Sequence, residues 1–73
     1  MKRKIEMCFD PDQDRWYVEL NGRNFGLHCG EGFDLYIGGE PFPCRLEMDR
    51  HYYIILKDVR FNLRKSDKYM VNV

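Results

Sequence analysis

Apolar and polar side chains alternate along most of this chain, with the period of two that is typical of a half-buried β-strand. No sustained helical stripe accompanies this alternation, so the pattern predicts an all-β protein. A continuous apolar segment at 52–56 predicts a central strand that is buried on both faces or packed against a neighbour. The predicted inward positions are Ile5, Met7, Phe9, Trp16, Val18, Leu20, Phe25, Leu27, Phe33, Leu35, Ile37, Phe42, Cys44, Leu46 and Met48.

Turn-forming residues separate these segments. Asp10 to Asp14 includes a proline and breaks the chain, Asn21-Gly22 suits a type I′ hairpin turn, and Gly38-Gly39 begins a second hairpin turn. Residues 64–68 are polar and predict a loop or a single helical turn. Six or seven short strands at this spacing predict a meander curled into an SH3-like barrel or a sandwich, with residues 1–73 forming one domain.

Composition narrows the class of protein. The chain has 73 residues, of which 44% are hydrophobic, and its longest apolar run is too short to span a membrane. Its basic start is not followed by the apolar stretch of a signal peptide. Three cysteines, without close spacing, favour buried thiols in a reducing compartment. We therefore expect a soluble cytoplasmic protein.

Residues that could hold a metal or catalyse a reaction do not form a complete motif. Asp10, Asp12 and Asp14 have the spacing of the start of a calcium loop, but Arg15 stands where that loop needs glycine. The two histidines and three cysteines lack the paired spacing of a zinc site and the strand-to-helix elbow of a nucleophile. The sequence predicts no metal, no cofactor and no catalysis.

Charge is balanced in total and uneven in distribution. Twelve basic and twelve acidic residues give a net charge of zero, with the basic residues concentrated at the two ends of the chain. If the first and last strands are neighbours, Lys2 and Lys4 would approach Arg60, Arg64 and Lys65 in one positive patch suited to phosphates. The alternative is that these are solvated charges that prevent aggregation of strand edges.

Three tyrosines are predicted to face away from the core, because they alternate with inward residues. They are Tyr17, Tyr36 and Tyr53. Tyrosine is enriched at protein and ligand interfaces, which makes these residues a candidate contact surface or homodimer face. The alternative is that they cover the second side of a thin sheet or stack across strands.

Several short motifs together resemble a known family. They are Leu27-His28-Cys29-Gly30-Glu31, Phe33-Asp34-Leu35-Tyr36-Ile37, Phe42, Arg45-Leu46-Glu47, Tyr52-Tyr53-Ile54-Ile55 and Met70-Val71-Asn72-Val73. The chain resembles the family called domain of unknown function 5348 over residues 16–73. The resemblance implies a small β-barrel encoded by bacteria, their mobile elements and phages, with no assigned activity.

Two functional hypotheses follow. In the first, the chain is a phage or mobile-element accessory protein that inhibits or sequesters a host component. That component is either a host protein or a nucleotide-like small molecule. If a nucleotide pocket is completed at a subunit interface, the protein forms a homo-oligomer. In the second, the barrel binds RNA or DNA through aromatic stacking and a basic edge. Neither involves a membrane. The candidate binding residues are Tyr17, Tyr36, Tyr53, Arg45, Arg60, Arg64 and Lys65.

Overall fold

A computed structural model describes residues 4–73 as eight antiparallel strands in one sheet, with no helix in that range. The strands are β1 (Ile5–Asp10), β2 (Arg15–Leu20), β3 (Arg23–Gly26), β4 (Gly32–Ile37), β5 (Glu40–Met48), β6 (Tyr52–Leu56), β7 (Val59–Asn62) and β8 (Tyr69–Asn72). Their order in the sheet is β3-β2-β1-β8-β4-β5-β6-β7. The all-β prediction is confirmed, with eight strands instead of six or seven.

Tight turns join the hairpins. Asn21 and Gly22 have φ of 53° and 78°, and Gly38 and Gly39 have φ of 59° and 84°, so the chain turns at both predicted positions with the positive φ that such turns require. A third two-residue turn, Lys57-Asp58, was not predicted. It adopts φ of 50° and 62° without glycine or asparagine, so Asp58 is the only residue in it that favours such a turn.

The sheet curls so that its two halves share one core. β1 and β8 are neighbours, as expected for the first and last strands. The hydroxyl of Tyr52 on β6 donates a hydrogen bond to the backbone oxygen of Asp14 at 3.1 Å, and its ring lies 6.4 Å from that of Phe9 on β1. In the described part of the chain the edge strands β3 and β7 do not pair with each other, so the sheet curls without closing its ladder.

The core is built from inward-facing residues of β1, β2, β4, β5, β6 and β8, together with one residue just after each of β3 and β7. Its buried members are Met7, Trp16, Val18, Leu27, Phe33, Leu35, Cys44, Leu46, Ile54, Leu63 and Val71. Three predicted core residues, Phe25, Ile37 and Met48, are instead 44–48% exposed. Phe25 lies on the edge strand β3, and the other two lie near strand ends, where no second layer covers them.

The structure also tests the predictions for residues 52–56 and 64–68. Of the two alternatives for 52–56, burial on both faces is wrong, because β6 is next to the edge and only Ile54 in it is fully buried, whereas packing against neighbouring strands is confirmed by its pairing with β5 and β7. Tyr52 and Leu56 instead pack against the core from its margin. Residues 64–68 form a loop with no helix, in which the Asp67 N–H donates to the Arg64 carbonyl at 3.0 Å.

The strained turn gives a stability prediction. Replacing Asp58 with glycine removes the cost of a side chain at φ of 62° and should raise the free energy of unfolding by up to about 1 kcal/mol. Denaturant unfolding measures this change. Asp12→Gly is the matched control, because Asp12 is a turn residue without positive φ, and it should not stabilise the protein. Equal effects of the two changes would contradict the interpretation that positive φ at Asp58 costs stability.

Candidate functional site

A cleft of about 500 Å³ opens where the sheet curls onto itself. It lies between the start of β6 and the segment that joins β7 to β8, with the beginning of β2 behind it. Its lining combines an apolar interior with a polar and basic rim. The lining residues are Trp16, His51, Tyr52, Leu63, Arg64, Lys65 and Ser66.

Tyr52 is the best-anchored side chain of the cleft. Besides the hydrogen bond to Asp14 and the edge contact with Phe9, its backbone oxygen accepts a hydrogen bond from the N–H of Leu63 at 3.2 Å. Burial, followed by the nearby Cys29 and Asp14, raises the pKa of the Tyr52 hydroxyl. Tyr52 is therefore a neutral donor in a fixed position at neutral pH.

Trp16 forms the back of the cleft. The side chain is fully buried, and its ring makes edge contacts with Phe9 at 5.5 Å and Tyr69 at 5.6 Å between centroids. Its indole Nε1 has no hydrogen-bond partner among residues 4–73. A buried donor of this kind is uncommon in folded proteins.

Arg64 and Lys65 form the basic rim. Arg64 Nε is 3.9 Å from Asp67 Oδ2, and Lys65 Nζ is 3.9 Å from Asp14 Oδ1. All four side chains are about half exposed or more, so these ion pairs contribute little to stability and can exchange for a ligand. The backbone of Arg64 is held more firmly than its side chain, because the Arg64 N–H donates to the Tyr69 hydroxyl at 2.9 Å.

The outward tyrosines do not form one surface. Tyr17, Tyr36 and Tyr53 are half-buried on the outer face, as predicted, but they lie on β2, β4 and β6, which are not adjacent. Tyr36 is opposite Pro41 and Tyr53 is opposite Glu47 on the intervening strand β5, a separation of roughly 20 Å along that strand.

Two of these tyrosines are covered by cations of the same chain. Lys4 Nζ lies 5.3 Å from the ring centre of Tyr36, and the Arg60 guanidinium lies 3.8 Å from that of Tyr53. The rings therefore already take part in intramolecular cation–π contacts.

The predicted basic residues separate into different places. Arg64 and Lys65 meet at the cleft, whereas Arg60 lies over Tyr53 and 3.8 Å from Asp49, and Arg45 Nε is 2.8 Å from Glu47 on the outer face. The expectation of one patch that joins the two ends of the chain is wrong for Lys4, which lies over Tyr36 on β4. Lys2 lies outside the described residues. Lys65 does reach β1, with Nζ 4.8 Å from the ring centre of Phe9, but Phe9 is near the end of that strand away from Lys4.

Tyr17 lines a smaller cleft of about 350 Å³ on the outer face, together with Glu6, Cys8 and Glu19. Lys68 occupies its rim, with Nζ 3.7 Å from Glu6 Oε2. Two carboxylates in this cleft make it a poor site for an anion. Within the described residues, no three histidine, cysteine or acidic side chains are grouped to hold a metal ion.

Sequence reasoning missed most of the larger cleft. It identified Arg64 and Lys65, but it assigned Trp16 only to the core and gave Tyr52 and Leu63 no site role. These residues are brought together by the curl of the sheet, and no local motif records that contact. The buried tryptophan among aromatic neighbours was the available signal.

The whole-chain comparisons agree with the fold and leave the activity open. The family model "Domain of unknown function (DUF5348)" matches residues 5–73, so the chain belongs to that family. A crystal structure of a protein from Ruminococcus gnavus, solved by structural genomics, is 27% identical, with a TM-score of 0.76. The match covers 97% of this chain and 100% of that one. A search of curated proteins gives no match. The part of the chain that the structure describes has no helix long and apolar enough to cross a membrane.

The cysteines provide a chemical test of the cleft's surroundings. Cys29 is exposed and near Tyr52, Cys8 is half-buried, and burial followed by Asp34 raises the pKa of the Cys44 thiol from 9.0 to about 11. At pH 9 we expect an alkylating reagent to modify Cys29 first and Cys44 last, because the thiolate is the nucleophile. Peptide mass spectrometry measures the order, with Cys29→Ser as the control. Labelling of Cys44 before Cys29 in folded protein would contradict the predicted order.

Proposed function

We propose that this protein is a non-catalytic binding domain whose larger cleft takes a nucleotide-like ligand. The observation that carries the proposal is the combination of aromatic and apolar walls from Trp16, Tyr52 and Leu63 with the cations of Arg64 and Lys65 at one rim. A flat, partly apolar group with an attached anion matches that combination. The volume of about 500 Å³ is typical of small-molecule sites.

The side chains of the cleft offer contacts that suit a nucleotide-like ligand. The aromatic ring of Tyr52 offers a surface for a planar base, and its hydroxyl is already occupied by Asp14. Arg64 presents a planar fork of donors that suits a phosphate better than lysine does.

Binding without turnover is the simpler use of this cleft. Its rim residues, His51, Arg64, Lys65 and Ser66, are exposed, so water reaches a bound ligand freely. Catalysis on phosphates usually needs a site that excludes water and fixes the reacting groups. In this proposal the protein acts in the cytoplasm and sequesters its ligand, and a phage or mobile-element accessory that withholds a host compound would work in this way.

Tryptophan fluorescence tests the proposal, because Trp16 is the only tryptophan in the chain. Titration with adenosine monophosphate should change the emission, whereas adenosine and inorganic phosphate should each bind more weakly. Arg64→Ala should lower the affinity for the nucleotide by about tenfold or more, since it removes a charge-assisted hydrogen bond. Arg23→Ala, an equal charge change on β3, should leave the affinity unchanged.

Three results would count against this function. One is the absence of binding at millimolar nucleotide, and another is equal loss of affinity in Arg64→Ala and Arg23→Ala. The third is tight binding of single-stranded RNA or DNA that weakens steeply with salt while the mononucleotide does not bind, which would favour the nucleic-acid hypothesis. Release of a product from the nucleotide would overturn the non-catalytic part.

A further inference from the structure

The edge strand β7 is unusually exposed for a strand that carries apolar residues. All four of its residues are exposed, and Val59 and Phe61 retain 62% and 47% of their accessible surface although they are on the core-facing side. β7 is the last strand in the order, so one side of its backbone has no strand partner in residues 4–73. Edges with these properties are prone to pair with another strand.

The alternation of hydrogen-bonded and non-hydrogen-bonded residue pairs along an antiparallel ladder, here called the hydrogen-bond phase, identifies which backbone groups are free on β7. The Leu63 N–H donates to the Tyr52 oxygen, which makes Tyr52 and Leu63 a hydrogen-bonded pair of the β6–β7 ladder. Such pairs alternate along antiparallel strands, so the next is Phe61 with Ile54. The N–H and C=O groups of Arg60 and Asn62 therefore point away from β6, to the open edge.

We propose that two copies of this chain pair through β7 in an antiparallel, two-fold symmetric arrangement. In a two-fold symmetric pair of β7 strands, each residue must lie opposite a residue from the same face of the sheet. Otherwise the apolar side chains would be divided between the two faces. Centring the pair on Phe61 meets this condition. It places Arg60 opposite Asn62 of the second copy, and these are the residues whose backbone groups are free.

Side-chain chemistry favours this register over the one centred on Arg60. Centring the pair on Arg60 would also satisfy the hydrogen-bond phase, but it would set two guanidinium groups directly opposite each other, which is unfavourable. In the register centred on Phe61 the two phenyl rings meet across the axis, and Arg60 faces the Asn62 amide. Within one chain Arg60 Nε already donates to Asn62 Oδ1 at 3.2 Å, so the two groups are compatible partners.

The other edge fits a second copy less well. In β3 the same reasoning leaves the backbone groups of Asn24 and Gly26 free, because the Leu27 N–H donates to the Trp16 oxygen. Gly26 contributes no cross-strand side chain and weakens a strand. Phe25 is its only large exposed apolar residue, against two on β7. The β3 edge therefore serves as an internal control.

The proposed dimer also reaches the cleft. The register centred on Phe61 sets Val59 of the second copy opposite Leu63, which lines the cleft wall. The two clefts would then lie beside the dimer interface. Dimerisation does not depend on the ligand, so it can be tested without any nucleotide.

Oligomeric state and amide exchange test the β7 interface. Sedimentation of the whole chain at micromolar to millimolar concentration should show a species of twice the 8.9 kDa chain mass. Asn62→Pro removes a free-edge N–H without removing a bond of the β6–β7 ladder, and it should yield monomer. The matched change at the other edge, Asn24→Pro, should leave the dimer intact. Far-ultraviolet circular dichroism verifies that each variant is folded.

Amide exchange in the unmodified protein keeps the test decisive if a proline variant fails to fold. In the dimer the amides of Arg60 and Asn62 should become protected as concentration rises, while those of Asn24 and Gly26 should stay fast. Phe61→Lys should abolish this protection. A protein that is monomeric at all concentrations, or a dimer lost in Asn24→Pro and kept in Asn62→Pro, would overturn the proposal.

Discussion

Burial of Trp16 is the contact on which the curl of the sheet depends. Its ring packs between Phe9 on β1 and Tyr69 on β8, and its backbone oxygen accepts the Leu27 N–H beyond β3. Tyr52 from the other half of the sheet reaches the same region through Asp14. A chain of 73 residues has few large side chains for its core, so one buried indole is a large part of the apolar surface that holds the two halves together.

The same packing produces the cleft. Where the start of β6 meets the segment after β7, the core ends in Trp16, Tyr52 and Leu63, and the polar loop at 64–66 forms a rim beside it. The apolar wall is therefore the margin of the core, and the cations lie at its boundary with solvent. An open sheet with a single core leaves such margins, because no second layer of structure covers them.

The unclosed ladder has a further consequence at the two edges. A closed barrel pairs all its strands, whereas this sheet ends in β3 and β7 with apolar side chains on their core-facing sides. The cleft and the β7 edge thus share one origin, which is a sheet that curls far enough to bury its centre and stops before its edges meet. Short edge strands of four residues limit the exposed area that results.

The sequence by itself determined the strands, most of their inward positions and two hairpin turns, because alternation and positive-φ residues act within a few neighbours. It did not predict the Lys57-Asp58 turn, in which two residues adopt positive φ without glycine or asparagine under the constraint of β6 pairing with β7. The exposure of Phe25 was decided by strand order, and Lys4 is separated from Lys65 because the curl of the sheet brings Lys65 to Phe9, near the opposite end of β1. Only the tertiary structure could bring Trp16, Tyr52 and Arg64 to one cleft, since that contact joins residues far apart in the chain through the curl of the sheet.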